Sequence, residues 1–238
     1  MNNHSPDRSR LEQVDWRLQD TKQTRFKPRI YFLDWEELRL CIKDFSHCNA
    51  VVRSTLGRWT VNREACVLHA LRGLRGIPTV IGIMEGPALV MTRVEASTLP
   101  RPPRHGPGDR ESVDTGLSPD FFSQAFHLLA RLHERGVTHG DIHNTNLLLH
   151  SDGQPSLIDF ASALVIDGEV SKLKCWAWQT MARIDLISLL NLRQKHFPDH
   201  PLTPKEQLLL NAQPGIYRLH KHLRANLIQP LKRVLRAR

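Results

Sequence analysis

The sequence has few cysteines and no long apolar run. Its four cysteines are scattered and include no Cys-x-x-Cys pair, which favours reduced thiols over disulfides or a zinc site. No uninterrupted apolar stretch approaches the roughly 20 residues that a membrane-spanning helix requires, and the first residues of the chain are polar. We therefore expect a cytoplasmic protein.

Acidic residues are outnumbered. The chain has 24 Asp and Glu against 33 Lys and Arg, which gives a formal net charge of +9 and a pI of about 9.8. Only Asp199 and Glu206 follow Asp185. This balance predicts anionic partners, among which nucleotides, acidic lipids, phosphorylated glycolipids and nucleic acid qualify. A hydrophobic content of 40% is enough to bury a sizeable core.

The most informative segment is residues 139–146, with the sequence His-Gly-Asp-Ile-His-Asn-Thr-Asn. Asp141 supplies a carboxylate that can accept the proton of an attacking hydroxyl. Five residues later, Asn146 supplies an amide oxygen that can hold a magnesium ion. This pair has the spacing of the base and the metal-binding amide in kinase catalytic loops.

A second carboxylate follows at Asp159, which opens an Asp-Phe-Ala sequence 18 residues after Asp141. Strands at residues 147–149 and 156–158, joined by a turn at 151–155, predict a hairpin that returns Asp159 to the neighbourhood of Asn146. A polar turn without chemistry is the alternative, since Asp, Asn and Gly are common in turns. It would require base, amide and second carboxylate to coincide by accident.

These residues resemble the catalytic loop of the protein-kinase-like superfamily. With Gly140 and His143, the loop is most similar to small bacterial branches: the lipopolysaccharide-core (Kdo/heptose) kinases with the related RIO-like serine/threonine kinases, and the aminoglycoside and choline phosphotransferases. The resemblance covers most of residues 14–195. It implies an α+β, bilobal protein-kinase-like fold, with a small β-rich N-lobe and a reduced, mainly helical C-lobe.

The same resemblance divides the chain into three parts. Residues 1–95 would form the N-lobe, with an ATP-covering sheet and one helix. Residues 96–117, rich in proline and without periodicity, would form a mobile insertion between the lobes. Residues 118–238 would form the C-lobe, with the catalytic loop and a basic C-terminal helix. Predicted strands cover residues 14–18, 30–33, 38–43, 76–82 and 88–92; predicted helices cover 60–74, with Thr60 as N-cap, and 119–135, with Ser118 as N-cap.

Nucleotide-binding residues follow from the resemblance. Lys43, at the end of an apolar strand, would contact the α- and β-phosphates, and Glu64 would be its ion-pair partner. For Glu64 the alternative is an ordinary exposed helix glutamate. Met91 would be the gatekeeper and Val94 part of the hinge that contacts adenine. A glycine-rich phosphate loop is absent, and residues 20–24 are its candidate substitute.

The resemblance implies ATP and Mg²⁺ as cofactors. Asp141 would be the catalytic base, Asn146 and Asp159 would hold the metal, and the acceptor would be a hydroxyl on a lipopolysaccharide-core sugar or on a protein Ser or Thr. Two alternatives remain open: an aminoglycoside- or choline-type phosphotransferase, and a pseudokinase that binds without catalysis. Nucleic acid is a disfavoured partner because the basic tail lacks interleaved aromatic residues.

The tail, residues 216–238, has seven Lys or Arg and no acid, and leucine recurs at every fourth position from Leu219 to Leu235. This pattern predicts a helix with one apolar and one cationic face. It could pack on the C-lobe with its basic face in solvent. Alternatively, it could lie on an anionic membrane, which would place the protein peripherally at the inner face of the plasma membrane.

Overall fold

An antiparallel sheet and a group of helices make up the computed structural model, which describes residues 17–18, 27–35, 37–84, 86–100, 102, 117–168, 170–211 and 215. The strands are β1 Arg17–Leu18, β2 Arg29–Trp35, β3 Leu38–Asp44, β4 Val80–Met84, β5 Ala88–Thr92, β6 Ser97–Thr98, β7 Val137–Thr138, β8 Leu147–Leu149, β9 Pro155–Leu157 and β10 Leu164–Val165. The helices are α1 Ala50–Val52, α2 Arg58–Ala70, α3 Pro119–Glu134, α4 Lys172–His196 and α5 Pro204–Asn211, with a π-helical turn at Arg53–Gly57 and a 3-10 turn at Phe160–Ser162.

The N-terminal sheet has the strand order β1-β2-β3-β5-β4. Successive side chains of the central strand β3 point to opposite faces of the sheet. Leu40 and Ile42 therefore enter one apolar cluster, while Cys41 and Lys43 point to the opposite face. On that opposite face β5 places Leu89 beside Lys43. The α+β, kinase-like fold class predicted from the sequence is confirmed.

The helix that carries Glu64 starts earlier than predicted. Asn49, not Thr60, caps the continuous helical segment, because its side-chain oxygen accepts a hydrogen bond of 2.8 Å from the backbone N–H of Val52. α1, the π-turn and α2 follow one another without a break. The prediction was wrong because apolar periodicity marks only the part of a helix that faces a core, and residues before Val61 are mostly exposed.

The C-terminal part is mainly helical. Ser118 caps α3 and Pro119 occupies its first turn, as predicted, and Phe122, Leu129 and Leu132 of α3 are completely buried. α3 packs against α4. The predicted hairpin is present as β8 and β9, with Leu147 opposite Leu157, although its second strand lies one residue earlier than predicted.

Several sequence predictions fall outside the described residues. These are the phosphate-loop substitute at 20–24, most of the insertion between the lobes, and the tail at 216–238. The division of the chain into three parts therefore stays a prediction. Among the helices that the structure describes, none is long and apolar enough to cross a bilayer.

Candidate active site

Lys43 lies between two carboxylates. Its Nζ is 2.7 Å and 2.9 Å from the two oxygens of Glu64 and 2.7 Å from Oδ1 of Asp159, and the residue is only 7% exposed. Burial alone would lower the pKa of the ammonium, but the two carboxylates outweigh it and raise the pKa above its ordinary value. The ammonium of Lys43 is therefore charged at neutral pH and is held by a carboxylate on each of two sides.

Glu64 is buried in α2, so the alternative of an ordinary exposed glutamate is wrong. Besides Lys43, it accepts a hydrogen bond of 3.2 Å from the backbone N–H of Phe160. It thus connects α2 to the segment directly after Asp159. The buried charge has the paired, hydrogen-bonded environment that a buried carboxylate needs.

Asp159 lies between β9 and the 3-10 turn at Phe160–Ser162, in a strained backbone conformation. With φ 65°, it is the one non-glycine residue at positive φ in the described part of the chain. Partial burial tends to raise the pKa of its carboxyl, yet Lys43 prevails and holds this pKa below its usual value. The carboxylate is ionised and its side chain is half exposed, at 46%.

His139 opens the catalytic loop as a fully buried, neutral imidazole. Its Nε2 lies 3.0 Å from the carbonyl oxygen of Ile158, and its Nδ1 lies 3.2 Å from the backbone N of Asp141. A carbonyl only accepts and a backbone N–H only donates, so the proton is on Nε2. Burial lowers the pKa of His139 and favours this neutral form.

The carboxylate of Asp185 in α4 forms hydrogen bonds with the backbone of the same loop. Its two oxygens accept hydrogen bonds from the backbone N–H groups of His139 at 2.7 Å and Gly140 at 2.8 Å, and one oxygen lies 3.2 Å from Nε2 of His133. Asp185 is completely buried. Asp185 therefore fixes the backbone of the catalytic loop directly before Asp141.

Gly140 is required by the backbone at its position. Its φ is 79°, and a Cβ atom there would come within 2.6 Å of the carbonyl oxygen of Ser162. Only glycine avoids both the unfavourable torsion and this contact. The loop therefore passes close to the segment after Asp159.

Asn146 is tied to Asp141 through the backbone. Its Nδ2 donates a 3.0 Å hydrogen bond to the carbonyl oxygen of Asp141, and its own carbonyl accepts one of 3.0 Å from the N–H of Ile158. The second contact places Asn146 beside the strand end that carries Asp159. The candidate catalytic and metal-binding residues thus lie in one connected network.

The donor set fits a hard divalent cation. Asn146 would contribute an amide oxygen and Asp159 a carboxylate oxygen, which are the ligand types that Mg²⁺ prefers, with nucleotide phosphates completing the shell. No group of three or more His, Cys, Asp or Glu side chains in the described part of the chain could hold a metal ion by itself.

The predicted hinge lies at the end of β5. Met91 is buried opposite Cys41, and the backbone N–H of Arg93 donates a 2.7 Å hydrogen bond to the carbonyl of Arg39. Within the described residues, no backbone hydrogen bond engages Val94.

A group of ion pairs around the hinge was missed by sequence reasoning. Arg93 lies 3.2 Å from Asp34 and 3.0 Å from Glu95, and Glu95 also pairs with Arg39. Asp34 and Arg39 occupy opposite positions in the β2-β3 hairpin. These opposite charges at facing positions of a hairpin could have indicated the group from the sequence.

The lobed α+β architecture, the Lys43–Glu64 pair and the loop around Asp141 define a protein-kinase-like protein. Residues 30–173, more than half of the chain, match the family model of the RIO domain. The chain belongs to the RIO domain family and is an atypical protein-kinase-like, ATP-dependent phosphotransferase. This match confirms the RIO-like part of the predicted resemblance and does not confirm the lipopolysaccharide-core part. No curated protein matches the chain.

Proposed function

We propose that this protein transfers the γ-phosphoryl group of ATP to the hydroxyl of a protein Ser or Thr side chain. The observation that carries the proposal is that Lys43 contacts both Glu64 and Asp159, beside a loop that contains Asp141 and Asn146. Family membership supports the use of ATP, and the serine/threonine-kinase-like character of the family favours a protein acceptor.

In the proposed mechanism, Lys43 would bind the α- and β-phosphates while Glu64 keeps it in place. Asp141 would orient the acceptor hydroxyl and take its proton as the oxygen bonds to the γ-phosphorus. The bond from that phosphorus to the bridging oxygen breaks, and ADP leaves. Asn146 and Asp159 would hold Mg²⁺, which supplies positive charge against the phosphate oxygens when bound. No covalent intermediate is needed, so the rate would come from positioning and electrostatics.

Two alternatives are less well supported. A pseudokinase would not need the buried Lys43–Glu64 pair together with Asp141, Asn146 and Asp159. An aminoglycoside-type acceptor is cationic, and a chain of pI 9.8 with two acids after Asp185 offers little for such a pocket. A lipopolysaccharide-core sugar remains the second candidate acceptor, since net positive charge would attract a phosphorylated glycolipid.

The test is incubation of the protein with labelled Mg-ATP against a protein extract and a membrane-lipid extract, side by side. We expect label in protein, and we expect Asp141→Asn to lower transfer by about 10²- to 10⁴-fold while ATP binding stays nearly unchanged, because general-base assistance is lost. Label in lipid alone would replace the protein acceptor by a glycolipid. Binding of ATP without turnover would favour the pseudokinase.

We also propose a cytoplasmic location with peripheral contact to an anionic membrane. The support is the sequence of residues 216–238, where seven cations and no acid accompany the four-residue leucine repeat.

A further inference from the structure

His143 is held in a single tautomer by Thr145. Its Nδ1 lies 3.3 Å from the backbone N of Thr145 and 2.9 Å from the Thr145 hydroxyl oxygen. Because a backbone N–H can only donate, Nδ1 acts as the acceptor and carries no proton. The ring proton of the neutral side chain is therefore on Nε2.

The opposite side of this ring faces the candidate catalytic base. Nε2 of His143 lies 3.5 Å from Oδ2 of Asp141, and the two side chains are 32% and 25% exposed. This separation is longer than an ideal hydrogen bond. Hydrogen bonds between catalytic groups are often long in unliganded sites and shorten when the reacting complex forms.

We propose that His143 is a positioning residue for phosphoryl transfer, whose Nε2–H keeps the Asp141 carboxylate turned towards the acceptor hydroxyl. The inference rests on the proposed function, because it assumes that Asp141 is the base. The backbone around Asp141 is already fixed, through its N–H to His139 and its carbonyl to Asn146. His143 extends this restraint from the backbone to the side chain.

The contacts of His143 with Thr145 on one side and with Asp141 on the other explain how it can orient the base. Thr145 orients His143, and His143 in turn faces Asp141, so a third group orients the base as in other base-and-orienter pairs. A base displaced by about 1 Å from the acceptor can lose on the order of 10²-fold in rate. A tautomer-fixed N–H beside the carboxylate limits such displacement.

The experiment measures phosphate released from Mg-ATP, with water as the acceptor, in His143→Leu, His143→Gln and Asp141→Asn and in the double variants with Asp141→Asn. His143→Leu should lower kcat by about 10- to 100-fold with the KM for ATP unchanged, because the base is misplaced and nucleotide binding is not. Gln places an N–H at nearly the reach of Nε2 and should restore most of the rate. His127→Leu, an exposed histidine of α3, is the matched control and should match the parent.

The double variants test whether His143 acts through Asp141. In the Asp141→Asn background, His143→Leu should cause no further loss, since the carboxylate that it positions is gone. An equal loss in both backgrounds, or a His143→Leu variant as fast as the parent, would overturn the inference. If the parent itself releases no phosphate and labels no acceptor, the proposed function fails instead.

Further variants keep the test decisive if His143→Leu does not fold. His143→Asn reaches only as far as Nδ1, so its N–H stops short of Asp141, and it should be slower than His143→Gln. Thr145→Val removes the hydroxyl but leaves the backbone N–H, and it should lower kcat less than His143→Leu does. Equal rates for the Asn and Gln variants would contradict the positioning role.

Discussion

At the scale of single residues, Asp159 combines a charge, a contact and an unusual torsion. The Asp159 carboxylate shares Lys43 with Glu64, while the backbone at φ 65° aims the side chain into the site. Aspartate and asparagine tolerate this torsion better than most residues. Substitution by asparagine at this position therefore removes the charge but keeps the shape of the side chain and the backbone torsion.

We predict that Asp159→Ala and Asp159→Asn both weaken Mg²⁺-dependent ATP binding. The expected loss is about 1.5–3 kcal/mol, the typical value of one interaction with a charged group. Asparagine keeps the shape and the torsion, so a similar loss in both variants would assign the effect to the missing charge. Calorimetric titration with ATP, in Mg²⁺ and in EDTA, measures it. A variant that binds Mg-ATP as tightly as the parent would contradict the metal-binding role.

His139 leads to a prediction on pH. Its pKa in the folded protein is lowered from 6.5 by burial, so below about pH 6.5 the unfolded chain binds a proton that the folded chain does not. Stability should thus be highest above this pH and fall on acidification towards the folded pKa. One such proton changes the free energy of unfolding by up to about 1.4 kcal/mol per pH unit.

Urea unfolding at several pH values between 7.5 and 5 checks this prediction in the parent and in His139→Gln. The variant should retain the part of the slope that comes from His196, whose pKa is also lowered by burial. Identical slopes in both proteins would show that His139 does not remain neutral in the fold.

At the scale of elements, the catalytic loop depends on its contact with the segment after Asp159. We predict that Gly140→Ala destabilises the protein by more than Gly153→Ala does. Both glycines have φ near +80°, so both variants carry the torsional cost of about 1–2 kcal/mol. Only at Gly140 would the new Cβ meet another atom, the carbonyl oxygen of Ser162, whereas nothing lies within 4 Å at Gly153.

Thermal and urea denaturation of the two variants give the comparison, with Gly153→Ala as the matched control. Gly140→Ala should also lower phosphoryl transfer, because the backbone that carries Asp141 must move. Equal free energies of unfolding in the two variants would mean that the Ser162 segment moves away from the new Cβ atom without loss of stability.

The sequence predicted those elements whose signals are local. α3 was predicted closely because Ser118 and Pro119 mark its start and Gly136, at φ 72°, follows its end. The β8-β9 hairpin follows from its apolar strands and polar turn. The start of the α1-to-α2 segment was missed, since its first turns face solvent and show no periodicity.

For the candidate site, residue types and spacing selected Asp141, Asn146 and Asp159, and the resemblance to protein kinases added Lys43 and Glu64. What the sequence could not provide was the torsion at Asp159 and the tautomer of His139. The tautomer depends on a contact between residues far apart in the chain, that of His139 with Ile158. Such contacts exist only after the two lobes have folded.

At the scale of the whole molecule, the net charge of +9 leads to a prediction on membranes. We expect Lys232→Gln, Arg233→Gln and Arg236→Gln together to weaken binding to anionic vesicles by roughly 100-fold, at about 1 kcal/mol for each cation. Binding should also weaken as salt rises, because surface attraction is screened over about 8 Å at physiological ionic strength.

Vesicle co-sedimentation measures this binding, and activity on a soluble acceptor should persist in the triple variant. The matched control replaces three exposed cations elsewhere, Arg58, Arg72 and Lys174, with Gln, so that the net charge changes equally. Equal losses in both variants would assign the attraction to overall charge. A tail variant that unfolds, or a parent that ignores anionic vesicles at low salt, would make the tail a structural helix.

The close approach of Gly140 to Ser162 also bears on how such an enzyme can be regulated. In protein kinases that are switched on by loop phosphorylation, the residue directly before the catalytic Asp is an arginine that pairs with the added phosphate. Here that position has no room for any side chain, because the first carbon beyond the backbone would already meet the Ser162 carbonyl. The proposed enzyme therefore cannot be activated through an arginine at this position, and it would be active as synthesised.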